Sequence, residues 1–96
     1  MTGLRRTSAG LDERRRRLLF RSWRRGTREM DLIMGRFAEA VIADLSDEEI
    51  DEFERLCEVA DPDLYAWLTG KEPVPADYDL AVFRRLRDLF TLGPAA

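Results

Sequence analysis

Histidine is absent from the 96 residues, which removes the commonest general base and the commonest metal ligand together. Most hydrolytic and metal-centred schemes lose their central residue with it. The single cysteine, Cys57, cannot close an internal disulfide, and without histidine no Cys/His ligand set can form. It follows Ile50 by seven positions on an apolar helical stripe, so it reads as a small core residue in a chain compatible with a reducing compartment. No run approaches the ~18 apolar residues of a membrane-spanning helix, and no apolar block follows the basic N-terminal residues as a signal peptide requires. A soluble protein is expected. There is no P-loop, no Rossmann glycine fingerprint and no G-x-S-x-G. Carboxylates are plentiful, yet they fall on solvated helix faces with nothing beside them to raise a pKa for acid/base work, and their spacing matches no calcium loop. These absences point away from an enzyme and towards an interaction module, which needs only a shaped and charged surface.

Lysine is nearly missing as well: fifteen arginines accompany one lysine. The 36% charged and 45% hydrophobic content fits an ordinary globular protein, and the length fits one small domain with a single core. Residues 1–10 lack periodicity and are expected to be a flexible tail, residues 11–92 the helical domain and residues 93–96 a short C-terminal tail. Asp12 and Glu13, with about ten residues before them, argue against a mitochondrial presequence, so a bacterial cytoplasm is expected.

The period-3.6 pattern predicts five helices. The first runs from Leu11 to near Arg25 with Leu11, Leu18, Leu19 and Trp23 on one face; Asp12 and Glu13 are spaced to pair with Arg16 and Arg17. Four consecutive arginines, 14–17, sweep round the helix, so only its Leu18–Trp23 end is expected to dock firmly. The second begins at Gly26 or Thr27 and carries Met30, Ile33, Met34, Phe37 and Val41. The third opens with Ser46 as N-cap, Glu49 completing a capping box and Leu45 against Ile50 as a staple; Ile50, Phe53, Leu56, Cys57 and Ala60 are its buried side. Asp61 is expected to cap the fourth with Pro62 at its first position, and Gly70 to end it; Leu64, Trp67 and Leu68 face inward. An extended connector with Pro73 and Pro75 leads to a fifth helix capped by Asp77, with Val82, Phe83, Leu86, Leu89 and Phe90 inward, Arg84 spaced to pair with Asp88, and Gly93-Pro94 closing it. The expected fold is all-α, a compact five-helix bundle.

Charge is sharply divided. Residues 1–36 hold eleven arginines against four acids, a net of +7, whereas residues 37–96 carry a net of −10. Arg14, Arg17, Arg21 and Arg24 are spaced along one helix face, which Arg28 would extend if the helix ran on through Gly26. Such a stripe is a solvated face, a contact for nucleic acid or membrane, or a patch for an acidic protein. At the joint itself, Arg25 and Glu29 share a face if the backbone stays helical; a break at Gly26 would instead put Glu29 in the first turn of a new helix. On spacing alone they are a solvated pair.

The segment RRGTREMDLIMGRF, followed by LSDEEIDEFERLCEVADPDLYAWLTG, resembles the SdhE family of succinate dehydrogenase assembly factors, the flavinators. The family's Arg-Gly-x-x-Glu motif falls on Arg25, Gly26 and Glu29, and its Asp-Pro-Asp-Leu-x-x-Trp-Leu segment on residues 61–68; the likeness runs from about Trp23 to about Phe90. The resemblance implies a chaperone-like monomer that binds the flavoprotein subunit of succinate dehydrogenase, and related fumarate reductase, and promotes covalent attachment of FAD to a client histidine. The FAD belongs to the client, and no cofactor is tightly bound by the factor itself. Arg25, Gly26 and Glu29 are then partner-binding, with Arg24 and Arg28 as basic surroundings; no nucleic acid, membrane or metal is involved. A small arginine-rich, helical nucleic-acid-binding regulator is the alternative, and an adaptor for another acidic protein shares the same surface.

Overall fold

A computed structural model of the chain describes residues 10–92. Among these are five α-helices, one single-turn 3-10 helix and no strand, so the all-α class and the five helices are as expected. The helices are α1 (Glu13–Ser22), α2 (Arg28–Val41), α3 (Asp47–Cys57), α4 (Asp61–Thr69) and α5 (Ala81–Leu92). Apart from Gly10, the expected tails and the Gly93-Pro94 stop lie outside the described residues. The described residues divide into two compact units, with the boundary between Leu45 and Ser46.

In the first unit α1 packs on α2. Asp12 is the N-cap of α1, accepting the Arg15 N–H at 2.8 Å. That backbone hydrogen bond, with the Arg15 guanidinium beside it, holds the Asp12 carboxyl below its usual range. Asp12 therefore turns to Arg15 rather than to Arg16, while Glu13 and Arg17 pair at 2.7 Å as their spacing suggests. The expectation that only the Leu18–Trp23 end of the first helix docks is wrong, because Leu11 is buried and Arg15 reaches the end of α2. The Arg15 side chain, 16% exposed, donates from Nε to the Ile42 carbonyl at 3.1 Å and from Nη2 to the Leu45 carbonyl at 2.6 Å, at and just beyond the end of α2. Carbonyls left open by the last turn of a helix need such donors. Leu11, Leu18, Leu19 and Ser22 complete the buried line, the Ser22 hydroxyl donating back to the Leu18 carbonyl at 2.8 Å.

Helix α1 stops at Ser22, three residues short of the expected end. The N–H groups of Trp23 and Arg24 reach the Phe20 and Arg21 carbonyls in the tighter i to i−3 pattern, which closes the helix. Arg24 is consequently off the helix, and the supposed arginine stripe ends at Arg21. On α2, Met30, Met34, Phe37 and Ala38 are buried as the amphipathic pattern requires, with Ile33 and Val41 half-buried. Gly35 is buried among them. A Cβ there would lie 2.2 Å from Cδ2 of Trp23, so the indole rests directly on the α2 backbone; its Nε1–H donates to Glu39 at 3.0 Å.

The second unit opens with the expected capping box: Ser46 Oγ accepts the Glu49 N–H at 3.1 Å, and Glu49 accepts the Ser46 N–H at 2.9 Å. Ile50, Phe53, Leu56 and Cys57 are buried, but Ala60 is exposed. Ala60, in extended conformation, is the N-cap of α4, where Asp61 was expected; Asp61 is the first helical residue and Pro62 the second, still within the turn whose N–H groups have no helical partner. Gly70 ends α4 at φ 79°, a left-handed C-cap that favours glycine. Leu64 and Leu68 are buried, whereas Trp67 is half-buried, its ring 5.4 Å from Tyr78 and 6.4 Å from Phe83.

Asp77 does not cap α5, because it lies in the 3-10 turn Ala76–Tyr78. The Val82 N–H in the first turn of α5 is instead accepted by Glu52 of α3 at 3.1 Å. Arg84 likewise pairs with Asp79 at 2.8 Å rather than with Asp88, and its hydrogen bond holds the Asp79 carboxyl low. Val82, Phe83 and Leu86 are buried; Leu89 is 36% exposed, and Phe90 is half-buried with its ring edge-on to Tyr65.

Candidate functional site

The bend between α1 and α2 carries the residues singled out in the sequence. Gly26 has φ 121°, a conformation that a side chain with a Cβ resists, and this breaks the helical path. Glu29 thereby becomes the second residue of α2 rather than a continuation of the α1 face, so the joint adopts the broken form of the two open at the sequence level. Thr27 caps α2, its hydroxyl accepting the Met30 N–H at 3.2 Å, and Glu29 and Asp31 place negative charge where the helix dipole favours it.

One carboxylate fixes the corner. Asp31 Oδ1 accepts the backbone N–H of Arg25 and, at 3.3 Å, that of Gly26. In a continuing helix the Arg25 N–H would have bonded to the Arg21 carbonyl; Asp31 takes it instead and so helps end α1 where it does. Gly26, Thr27, Arg28 and Glu29 are exposed and Arg25 is half-buried, which presents a hydrogen-bonded backbone corner with charged groups beside it. Arg24, also exposed, stacks its guanidinium 4.5 Å from the centre of the Phe20 ring. The five residues expected to contact a partner thus lie within the six positions 24–29, with the Phe20 ring against the first of them.

Neither Asp31 nor Gly35 was singled out from the sequence. Asp31 gives no signal, because an acid in a first helical turn is explained by the dipole alone. Gly35 does give one: a lone glycine inside an apolar helical stripe marks close approach of another group. Asp31→Ala should lower stability by about 1–2 kcal/mol through two stranded N–H groups, and Asp31→Asn, which keeps an acceptor oxygen, should recover most of the loss. Urea denaturation of the two variants measures this.

Among the described residues no cluster of His, Cys, Asp or Glu could hold a metal ion, and no helix is long and apolar enough to cross a membrane. The second unit has a shallow groove of about 470 Å³ beside Trp67 and Phe83, with Glu72 and Arg87 on its walls, but no convergent set of polar groups.

A family model described as the flavinator of succinate dehydrogenase matches residues 16–90. The chain belongs to that family. The match takes in the Arg25–Glu29 corner, all of α2 to α4 and most of α5, and leaves out the residues before Arg16. Among flavinator relatives, the FAD assembly factor SdhE of Acetobacter pasteurianus is 41% identical over 76 residues, covering 79% of this chain and 70% of the relative. The mitochondrial succinate dehydrogenase assembly factor 2 of Mycosarcoma maydis is 42% identical over 60 residues, covering 62% of this chain and 25% of the relative. That of Debaryomyces hansenii is 39% identical over 66 residues, covering 69% and 46%. The chain therefore spans most of the bacterial relative but less than half of either fungal one.

Proposed function

We propose that the chain is an assembly factor that binds the flavoprotein subunit of succinate dehydrogenase and promotes its covalent flavinylation, the client supplying both the histidine and the FAD. The observation that carries this reading is the Arg25-Gly26-x-x-Glu29 corner, exposed at Gly26 and Glu29 and held by Asp31, in a chain of the flavinator family. Gly26 offers a surface without a Cβ, against which a client backbone can lie closely. The Arg25 fork and the Glu29 carboxylate supply charge-assisted hydrogen bonds that strengthen once the interface excludes water. Because Asp31 has already ordered the corner, little backbone entropy is lost on docking.

The factor itself performs no chemistry, holds no flavin and acts as a monomer in the bacterial cytoplasm. The bacterial relative's name, FAD assembly factor, supports that role. Nucleic-acid binding is disfavoured by how the arginines of α1 are used. The row Arg14, Arg17, Arg21 and Arg24 loses its last member, because Arg24 lies beyond the end of α1, and Arg17 within it pairs with Glu13.

Co-expression with a tagged flavoprotein subunit, in a host lacking its own assembly factor, tests the role through covalent flavin fluorescence in a denaturing gel. The wild-type chain should raise the signal well above background, and Glu29→Ala should return it to background while keeping a helical circular dichroism spectrum. Equal fluorescence with and without the wild-type chain would refute the proposal.

A further inference from the structure

Phe20 is 57% exposed, the most exposed large apolar side chain among the described residues. A lone exposed phenylalanine is ordinary in itself. What sets this one apart is its surroundings. It stands on α1 away from Leu18, Leu19 and Ser22, and its neighbours at i−4, i−3 and i+4 are Arg16, Arg17 and Arg24. The Arg24 guanidinium carbon lies 4.5 Å from the centre of the ring, a cation–π contact. From Arg24 the chain passes directly into the Arg25-Gly26 corner, and the first 36 residues carry a net charge of +7. Phenylalanine and arginine are both enriched at protein interfaces relative to the rest of the surface, and here they stand side by side within a field of one sign.

We infer that Phe20 and Arg24 form an anchor for the flavoprotein subunit, the ring seating in an apolar recess whose rim carries carboxylates. The inference rests on the proposed role in flavinylation, and extends the docking surface from the corner back onto α1. Apolar burial of the ring supplies affinity that salt does not screen; the arginines around it supply encounter rate and orientation, which salt does screen.

Binding to purified FAD-free flavoprotein subunit, measured at low and high salt, separates the parts. Phe20→Ala should raise Kd by about tenfold or more, by the same factor at both salt concentrations, with an unchanged melting temperature. Phe20→Glu should weaken binding further, because it sets a carboxylate against an acidic rim. Arg24→Ala should have a smaller effect that shrinks with salt. Wild-type affinity in Phe20→Ala overturns the anchor and leaves the flavinylation role standing, provided the wild-type chain still raises covalent flavin. A Phe20→Glu variant that binds no worse than Phe20→Ala overturns the acidic rim. If Phe20→Ala instead disrupts self-association and spares the flavoprotein, the face belongs to a second copy and the inference fails. A wild-type chain that neither binds nor promotes flavinylation overturns both.

Discussion

Gly35→Ala should destabilise the protein by roughly 3 kcal/mol, although alanine is the better helix former by about 1 kcal/mol. The added methyl would sit 2.2 to 2.5 Å from three atoms of the Trp23 indole, and none of these is the free end of a flexible chain. Either α2 shifts or the indole leaves, and in leaving it gives up its hydrogen bond to Glu39 and its apolar contact. The sign of the effect depends on the ring. In a Trp23→Ala background the clash is gone, so the same Gly35→Ala change should be neutral or stabilising by up to about 1 kcal/mol. A double-mutant cycle by urea denaturation measures the reversal; equal costs in both backgrounds would show that Gly35 does not seat Trp23.

Phe37→Ala should cost about 3–5 kcal/mol, since the ring is 1% exposed and its removal leaves a cavity beneath α2. A domain of this length has a total stability of only about 5–15 kcal/mol, so the melting temperature should fall by well over ten degrees. Trp67→Ala, at a half-buried position, should cost about 2 kcal/mol, less than full burial would imply. Calorimetry on the two variants ranks them. A larger loss for Trp67 would mean that the seam between α4 and α5 in the second unit contributes more stability than the α2 core of the first.

Features set by residues three or four apart were legible in the sequence. The Ser46–Glu49 box, the Glu13–Arg17 pair, the stripe on α2 and the Gly70 stop all depend on neighbours within one turn. Illegible were the features that need partners brought together by folding. Glu52 accepts the Val82 N–H from 30 positions away, so nothing in the sequence near Asp77 could show it. Arg84 had two acids within reach in sequence, and the turn before α5 swings Asp79 rather than Asp88 towards it. The end of α1 misled for the same reason: helical periodicity continues through Trp23, and a carboxylate in the next element helps to stop the helix by taking the Arg25 N–H. At the corner, composition placed Arg25, Gly26 and Glu29 on the surface, but only the backbone shows Gly26 at positive φ and Asp31 behind it.

Arg15 ties the fate of two helices together. A ten-residue helix is too short to persist by itself in water, and α1 has only one buried line to hold it. By gripping carbonyls at the far end of α2, Arg15 makes fraying of that end and release of α1 a single event. The first unit should then open as one cooperative segment rather than peel from its N-terminus. The corner at Gly26, which joins the two helices, inherits that protection, so the surface offered to a client persists for as long as the pair stays closed.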